Sequence, residues 1–195
     1  MDEAAGMSGT ADERFAEGAP NEESRGATAR AALLAGFAQL ALSRQYREIG
    51  VDCVVRAAKV ARSTFYYHFS TKDDLLLENL RPLLVALAAA PGDSAPAAEL
   101  KLWIEHLWQH RNVAARLLVG RTGEKLQSAL TAELRGSLEA ADCGEIDAVS
   151  VALRAEQAAG STMTLLRAWT AHRISARPDD VAMAIWRAGK AYQRN

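Results

Sequence analysis

The chain has 195 residues, 49 % of them hydrophobic and 24 % charged, an ordinary globular balance with room for one large helical domain or a small and a medium one. The formal net charge of −1 excludes a polycationic nucleic-acid binder, so any basic surface has to be local. No run approaches the roughly 18 apolar residues of a membrane span. The opening Met1-Asp2-Glu3 has neither the basic nor the apolar region of a signal peptide, so no membrane partner and a cytoplasmic location are expected.

Residues 1–24 read as a disordered acidic tail. They hold Asp2, Glu3, Asp12, Glu13, Glu17, Glu22 and Glu23 against Arg14, with few large apolar residues, and cannot offset their ordering entropy. A helix is expected from near Arg25, where Ala31, Leu34, Phe37, Ala38 and Ala41 recur at helical spacing beside Leu33 and Leu40. It fades at Ser43-Arg44-Gln45, and Tyr46 opens a connector. A two-turn helix follows from Val51 to Ala58, a break at Lys59-Val60-Ala61, and a second short helix from about Arg62 to Phe69. Ser70 or Thr71 can then cap a long helix, with Asp73 and Asp74 at its positive end. That helix carries Leu75, Leu76, Leu80, Leu83, Leu84 and Leu87, and Pro82 inside it predicts a kink.

The run from Pro91 to Pro96 reads as a loop. Helices are expected over about Ala97 to His110, Val113 to Val119, Gly123 to Ala141 and Glu145 to Ser175, the last bent at Gly160-Ser161. Arg177-Pro178-Asp179-Asp180 predicts one more helix start, running to about Tyr192. No strand-period alternation and no internal repeat are visible. Cys53 and Cys143 suit no metal or disulfide framework and read as reduced thiols.

Three short-to-medium helices before a long one, the middle pair joined by a tight turn, is the layout of a helix-turn-helix, whose second helix enters the DNA major groove. Arg62-Ser63-Thr64-Phe65-Tyr66-Tyr67-His68-Phe69 suits that task. Phe65 and Phe69, four apart, can anchor inward. Arg62, Ser63, Thr64, Tyr66, Tyr67 and His68 are six hydrogen-bonding groups in eight residues, a poor interior surface and a good one for base edges and phosphates.

From Ala57 to Leu75 the sequence AAKVARSTFYYHFSTKDDL resembles the tetracycline-repressor (TetR) family of bacterial regulators. Their signature is a Thr-Leu/Phe-Tyr-x-His-Phe recognition helix and a Lys-Asp/Glu-x-Leu entry into the fourth helix. Tyr46-Arg47-Glu48-Ile49-Gly50-Val51 matches the family's approach to its second helix, and the resemblance covers roughly residues 27 to 80. It implies that Thr64 and Tyr66 contact phosphate or base edges, that Ser63 and Tyr67 face the groove with His68 beside them, that Arg62 reads a base or phosphate, and that Lys72 holds a backbone phosphate. Local charge agrees: from Arg25 to Leu75 eight Lys and Arg stand against four Asp and Glu, the excess that phosphate binding requires.

Three positions depart from the family pattern. The usual Ala-Gly-Val-Ser turn reads Ala58-Lys59-Val60-Ala61. A residue with a side chain at the glycine position meets a left-handed backbone at a cost of roughly 1 kcal/mol or more, and loss of the capping Ser costs about 1 kcal/mol. Val55 replaces a small Ala where the two helices usually pack. Lys59 either adds a phosphate contact or, with Ala61 and Val55, loosens the motif.

The resemblance implies an all-α chain: a helix-turn-helix domain over 25–72, then a helical bundle over 73–195 for dimerisation and ligand sensing. Met163, Leu166 and Thr170, with Val181, Ile185 and Ala188, form the apolar stripes of the last two helices, expected to pair across a homodimer. A dimer places two recognition helices about 34 Å apart on a palindrome. The candidate lining of an effector pocket is Trp103, His106, Leu107, His110, Met163, Leu166 and Trp169. His106 and His110 have metal-ligand spacing but no third ligand, so no metal is expected, nor any cofactor. Gly120-Arg121-Thr122-Gly123-Glu124-Lys125 lacks the spacing and the preceding strand of a phosphate loop. Nothing points to an enzyme. The expected function is a ligand-responsive repressor binding double-stranded operator DNA as a homodimer, an unidentified small molecule shifting helix four through the Pro82 region. The alternative is a dimeric interaction protein of the same fold with weakened or lost DNA binding.

Overall fold

A computed structural model describes residues 22–89, 96–141 and 147–193. Among them the chain forms nine α-helices and no strand: α1 Glu22–Ser43, α2 Val51–Ala58, α3 Arg62–His68, α4 Lys72–Ala88, α5 Ala98–Gln109, α6 Arg111–Leu117, α7 Gly120–Ala141, α8 Ala148–Thr170 and α9 Pro178–Gln193, with a 3-10 turn at Tyr46–Glu48. The all-α expectation holds. The tail up to residue 21, most of the Pro91–Pro96 loop and Cys143 lie outside the described residues. No helix among those described is long and apolar enough to cross a membrane.

Two cores organise these helices. Leu33, Phe37, Ile49, Val54, Phe65, Phe69, Leu75 and Leu76 form the first. Leu83, Leu84 and Leu87 of α4 join Ile104, Leu130, Met163, Leu166 and Trp169 in the second. α4 therefore supplies both, and Leu80 and Leu117 pack against both. Its start is fixed by a reciprocal cap: Thr71 Oγ1 accepts from the Asp74 N–H at 3.2 Å and the Asp74 carboxylate accepts from the Thr71 N–H at 2.8 Å. The helix continues through exposed Pro82 to Ala88.

α1 and α2 cross at Gly36, where a Cβ would stand 3.1 Å from the Ala58 nitrogen. The small residue at this crossing is thus on α1, and Val55 fits half-buried against the first core. The α6–α7 corner is tighter. A Cβ on Gly123 would lie 2.2 Å from the Leu118 carbonyl oxygen, which also accepts from Arg167 Nε at 2.7 Å and so ties α8 to the corner.

α8 ends at Thr170, five residues short of the expected Ser175, and runs as a continuous helix through Gly160. His172 takes φ 57°, and Trp169 Nε1 donates to the Ala176 carbonyl at 2.9 Å, closing the chain back onto the helix. The dimer-facing role expected of Met163, Leu166, Thr170, Val181 and Ile185 is corrected. All five are buried within the single chain, because that stripe of α8 and α9 is what closes the second core. The large apolar residues that α8 leaves outside are Val149 and Leu153.

Candidate nucleic-acid interface

α3 sits on the first core by one face. Phe65 is fully buried, and its ring lies 5.9 Å from that of buried Phe69. Burying such a ring contributes roughly 1.5–3 kcal/mol, enough to hold a seven-residue helix that has no side-chain N-cap at Ala61. The opposite face is open. Tyr67 is 82 % exposed and Tyr66 50 %; Arg62 and Ser63 are exposed, and Thr64 and His68 half-buried. The His68 ring meets the Tyr67 ring edge-on at 4.9 Å, which limits where Tyr67 can swing.

The turn ahead of α3 takes the expected strained form. Lys59 has φ 55° and ψ 39°, the left-handed region, at the C-terminus of α2, and its side chain is exposed. Arg62 is not free. Its Nη1 pairs with Asp52 Oδ1 of α2 at 2.6 Å, and its Nη2 donates to Tyr66 Oη at 3.3 Å. The hydrogen bond to Tyr66, then the charge of Asp52, raises the guanidinium's proton affinity further. Asp52 spans the turn from α2 to α3, a contact that spacing along the chain does not reveal.

Lys72 is half-buried. Its Nζ donates to the Tyr46 and Ile49 carbonyls at 3.0 and 3.1 Å and lies 4.3 Å from the Tyr46 ring centre. It closes the connector between α1 and α2 onto α4, which leaves one N–H for an outside partner. Beside it, Tyr46 Oη donates to Asp73 Oδ1, and Lys125 of α7 pairs with Asp73 Oδ2. Burial alone would raise the Asp73 carboxyl, but the hydrogen bonds from Lys125 and Tyr46 and the charges of Lys125 and Lys72 hold it below the usual range. Burial, then the bond to Asp73, drives the Tyr46 phenol well above its ordinary value. Glu78 of α4 pairs with Arg30 of α1. These pairs pin α1 and the α1–α2 connector to α4, and Lys125 ties α7 to the same helix.

The pocket candidates divide. Trp103, His106, Leu107 and His110 line a cavity of about 340 Å³ between α1, α4, α5 and α6. Phe37, Leu42 and Asn79 line it too, and sequence reasoning passed over them. Met163, Leu166 and Trp169 do not reach it. They are buried in the second core, Trp169 stacked on Trp108 at 4.7 Å, and Met163 and Leu166 border a neighbouring void of about 40 Å³ that shares Leu80, Leu83 and Leu107 with the cavity. No group of three or more metal-ligating side chains occurs among the described residues.

With this geometry in place, comparison with known proteins gives a consistent result. The family described as bacterial regulatory proteins, tetR family, matches residues 33–78. The HTH-type transcriptional regulator EthR of Mycolicibacterium smegmatis is 37 % identical over 54 residues, 28 % of this chain and 25 % of that protein. The match thus spans about a quarter of that relative's length. Among solved structures, a TetR transcriptional regulator from Rhodococcus sp. RHA1 superposes with TM-score 0.59 at 16 % identity, covering 89 % of this chain and 99 % of that one. One from Streptococcus agalactiae 2603V gives 0.55 at 22 %, covering 85 % and 96 %. These likenesses extend over both halves of the chain and concern the fold.

Proposed function

We propose, from the match of residues 33–78 to the tetR family of bacterial regulatory proteins, that this chain is a ligand-responsive transcription repressor of that family that binds a palindromic operator as a homodimer. The observation that carries the reading is the polarity of α3. Phe65 and Phe69 are buried, while Ser63, Tyr66 and Tyr67 face solvent. A helix so divided fits the major groove, with base contacts from the aromatic and hydroxyl face and phosphate contacts from the flanks. Lys59 stands exposed at the turn and Lys72 keeps one donor, so both flanks hold a cation.

The effector reading is supported by the cavity between α1 and α4–α6. A molecule there touches the domain that carries α3 as well as the bundle. It shifts DNA affinity only so far as it prefers one arrangement of the two.

The test is fluorescence anisotropy on a labelled duplex from the region upstream of the gene, with a scrambled duplex beside it. Salt-dependent binding that prefers the upstream duplex, weakened about tenfold or more by Tyr67→Ala with unchanged helicity, is expected. The engagement of Arg62 by Asp52 and the strained Lys59 favour a second reading, an interaction protein that has lost operator recognition. Absence of any duplex binding at low salt selects it.

A further inference from the structure

The cavity between α1, α4, α5 and α6 has a lining of unusual chemistry. α1 gives it Phe37, Ala38, Ala41 and Leu42, and α6 gives Val113, Ala114 and Leu117. α4 adds Leu76, Leu80 and Leu83 with one polar residue, Asn79, whose amide N–H₂ already donates to the Leu75 carbonyl at 3.1 Å. Among the described residues, the titratable groups lining it are His106 of α5 and His110 at the α5–α6 junction. They are one helical turn apart, with ring centres 4.6 Å from each other, and His106 lies at the exposed rim. The nearest charged neighbours in sequence are engaged elsewhere: Glu105 accepts from Gln109, and Arg111 bonds to His172 and the Trp108 carbonyl. Among the described residues, no carboxylate, lysine or arginine lines the space.

We infer that this cavity binds a small amphipathic carboxylic acid, its hydrocarbon body against Phe37, Leu42 and Trp103 and its carboxylate on the His106–His110 pair. The reading of the chain as an effector-gated regulator gives this site its purpose. The volume, about 340 Å³, lies at the small end of ligand pockets. The charge selects the head group. Burial and the neighbouring His110 both lower the proton affinity of His106, since two imidazolium ions this close repel. A carboxylate between them turns that repulsion into two charge-assisted hydrogen bonds. A cation finds no acceptor carboxylate here, and an uncharged alcohol leaves polar groups poorly paired. Carboxylate binding must therefore draw protons onto the pair, and affinity must rise as pH falls through the histidine range.

The placement also names a mode of control. Phe37 belongs to the first core, its ring edge-on to Tyr46 at 6.2 Å. A ligand packed on Phe37 and Leu42 thus bears directly on the helix that supports α2 and α3.

The test is calorimetric titration of the full chain with octanoate, octan-1-ol and octylamine at pH 6 and pH 8, in two buffers of different ionisation enthalpy. Octanoate is expected to bind one per chain with proton uptake, about tenfold tighter at pH 6 than at pH 8 and about tenfold tighter than the alcohol. The amine is expected not to bind. The exposed position of His106 makes His106→Gln tolerable, and H106Q/H110Q is expected to level octanoate with octanol and erase the pH dependence. Ala38→Phe, filling the α1 side, is expected to weaken octanoate without changing its pH profile. Equal binding of acid and alcohol, an unchanged pH profile in H106Q/H110Q, or no octanoate binding overturns the proposal. The binding is measured without DNA. If octanoate binds as expected while duplex affinity is absent or unmoved, the site stands and the effector-gated reading falls.

Discussion

Asp52 and Arg62 face each other across the turn of the helix-turn-helix, with 2.6 Å between Oδ1 and Nη1. Both side chains are more than half exposed, so the pair adds little to folding. Its consequence is for DNA. A carboxylate on α2 holds the arginine at the start of α3 and places a negative charge where phosphates approach. Asp52→Asn is expected to tighten duplex binding several-fold and to steepen the slope of log affinity against log salt by about 0.9, the signature of one more neutralised phosphate. Anisotropy titrations at four salt concentrations read both. Weaker binding in the variant would show that the pair orders α3 rather than restraining it.

Lys59 occupies the left-handed region at φ 55°, where glycine is the unstrained residue. Lys59→Gly relieves roughly 1 kcal/mol, partly offset by glycine's greater freedom in the unfolded chain. The thermal midpoint is therefore expected to rise by about 2 °C for a chain of this size. If Lys59 also meets a phosphate, the same variant lowers the salt slope by about 0.9. Calorimetry and anisotropy on one preparation separate the effects, and a falling midpoint would refute the strain argument.

The division of α3 into a buried and an open face was legible in the sequence because its pattern is local. Phe65 and Phe69 are four apart, polar groups fill the positions between, and an amphipathic helix follows from spacing alone. The cavity was half legible. Trp103, His106, Leu107 and His110 share one face of one helix, but Phe37 and Leu42 join them from α1, some sixty residues earlier in the chain. Met163, Leu166 and Trp169 have the same helical signature, and periodicity says that a face is apolar without saying whether it meets a void, a neighbour or a second protomer. Lys72 illustrates the other limit. Its partners are the backbone carbonyls of Tyr46 and Ile49, left available by the irregular connector, and no side-chain pattern announces them.

The Tyr46–Asp73–Lys125 cluster gives stability a pH dependence with two signs. The folded-state affinity of Asp73 for its proton is lowered, so its contribution is complete above the ordinary carboxylate range and is lost as pH falls through the depressed folded value. The Tyr46 phenol is raised. Its contribution is complete below the unfolded value of about 10 and is lost as pH climbs past it. Urea melts from pH 8 to 11 are expected to show a falling midpoint for the natural chain and a flatter limb for Tyr46→Phe. Parallel alkaline limbs in the two proteins would remove Tyr46 from the account.

The proposed homodimer can be tested on a face that the single chain leaves uncovered. Val149 and Leu153, one turn apart on α8, are 68 % and 60 % exposed, whereas Leu166 on the buried stripe is fully covered. Leu153→Glu places a charge where a second copy would have to desolvate it and is expected to convert the dimer to monomer in sedimentation velocity at micromolar concentration, with the thermal midpoint of the protomer nearly unchanged. Duplex affinity should fall about a hundredfold, because two linked half-site contacts gain from effective concentration and one does not. Leu166→Ala is the counterpart. It should destabilise the fold by about 2–5 kcal/mol yet leave the folded fraction dimeric. A Leu153→Glu protein that still sediments as a dimer would move the interface off this end of α8, and a Leu166→Ala protein that dissociates while folded would return it to the stripe closing the second core.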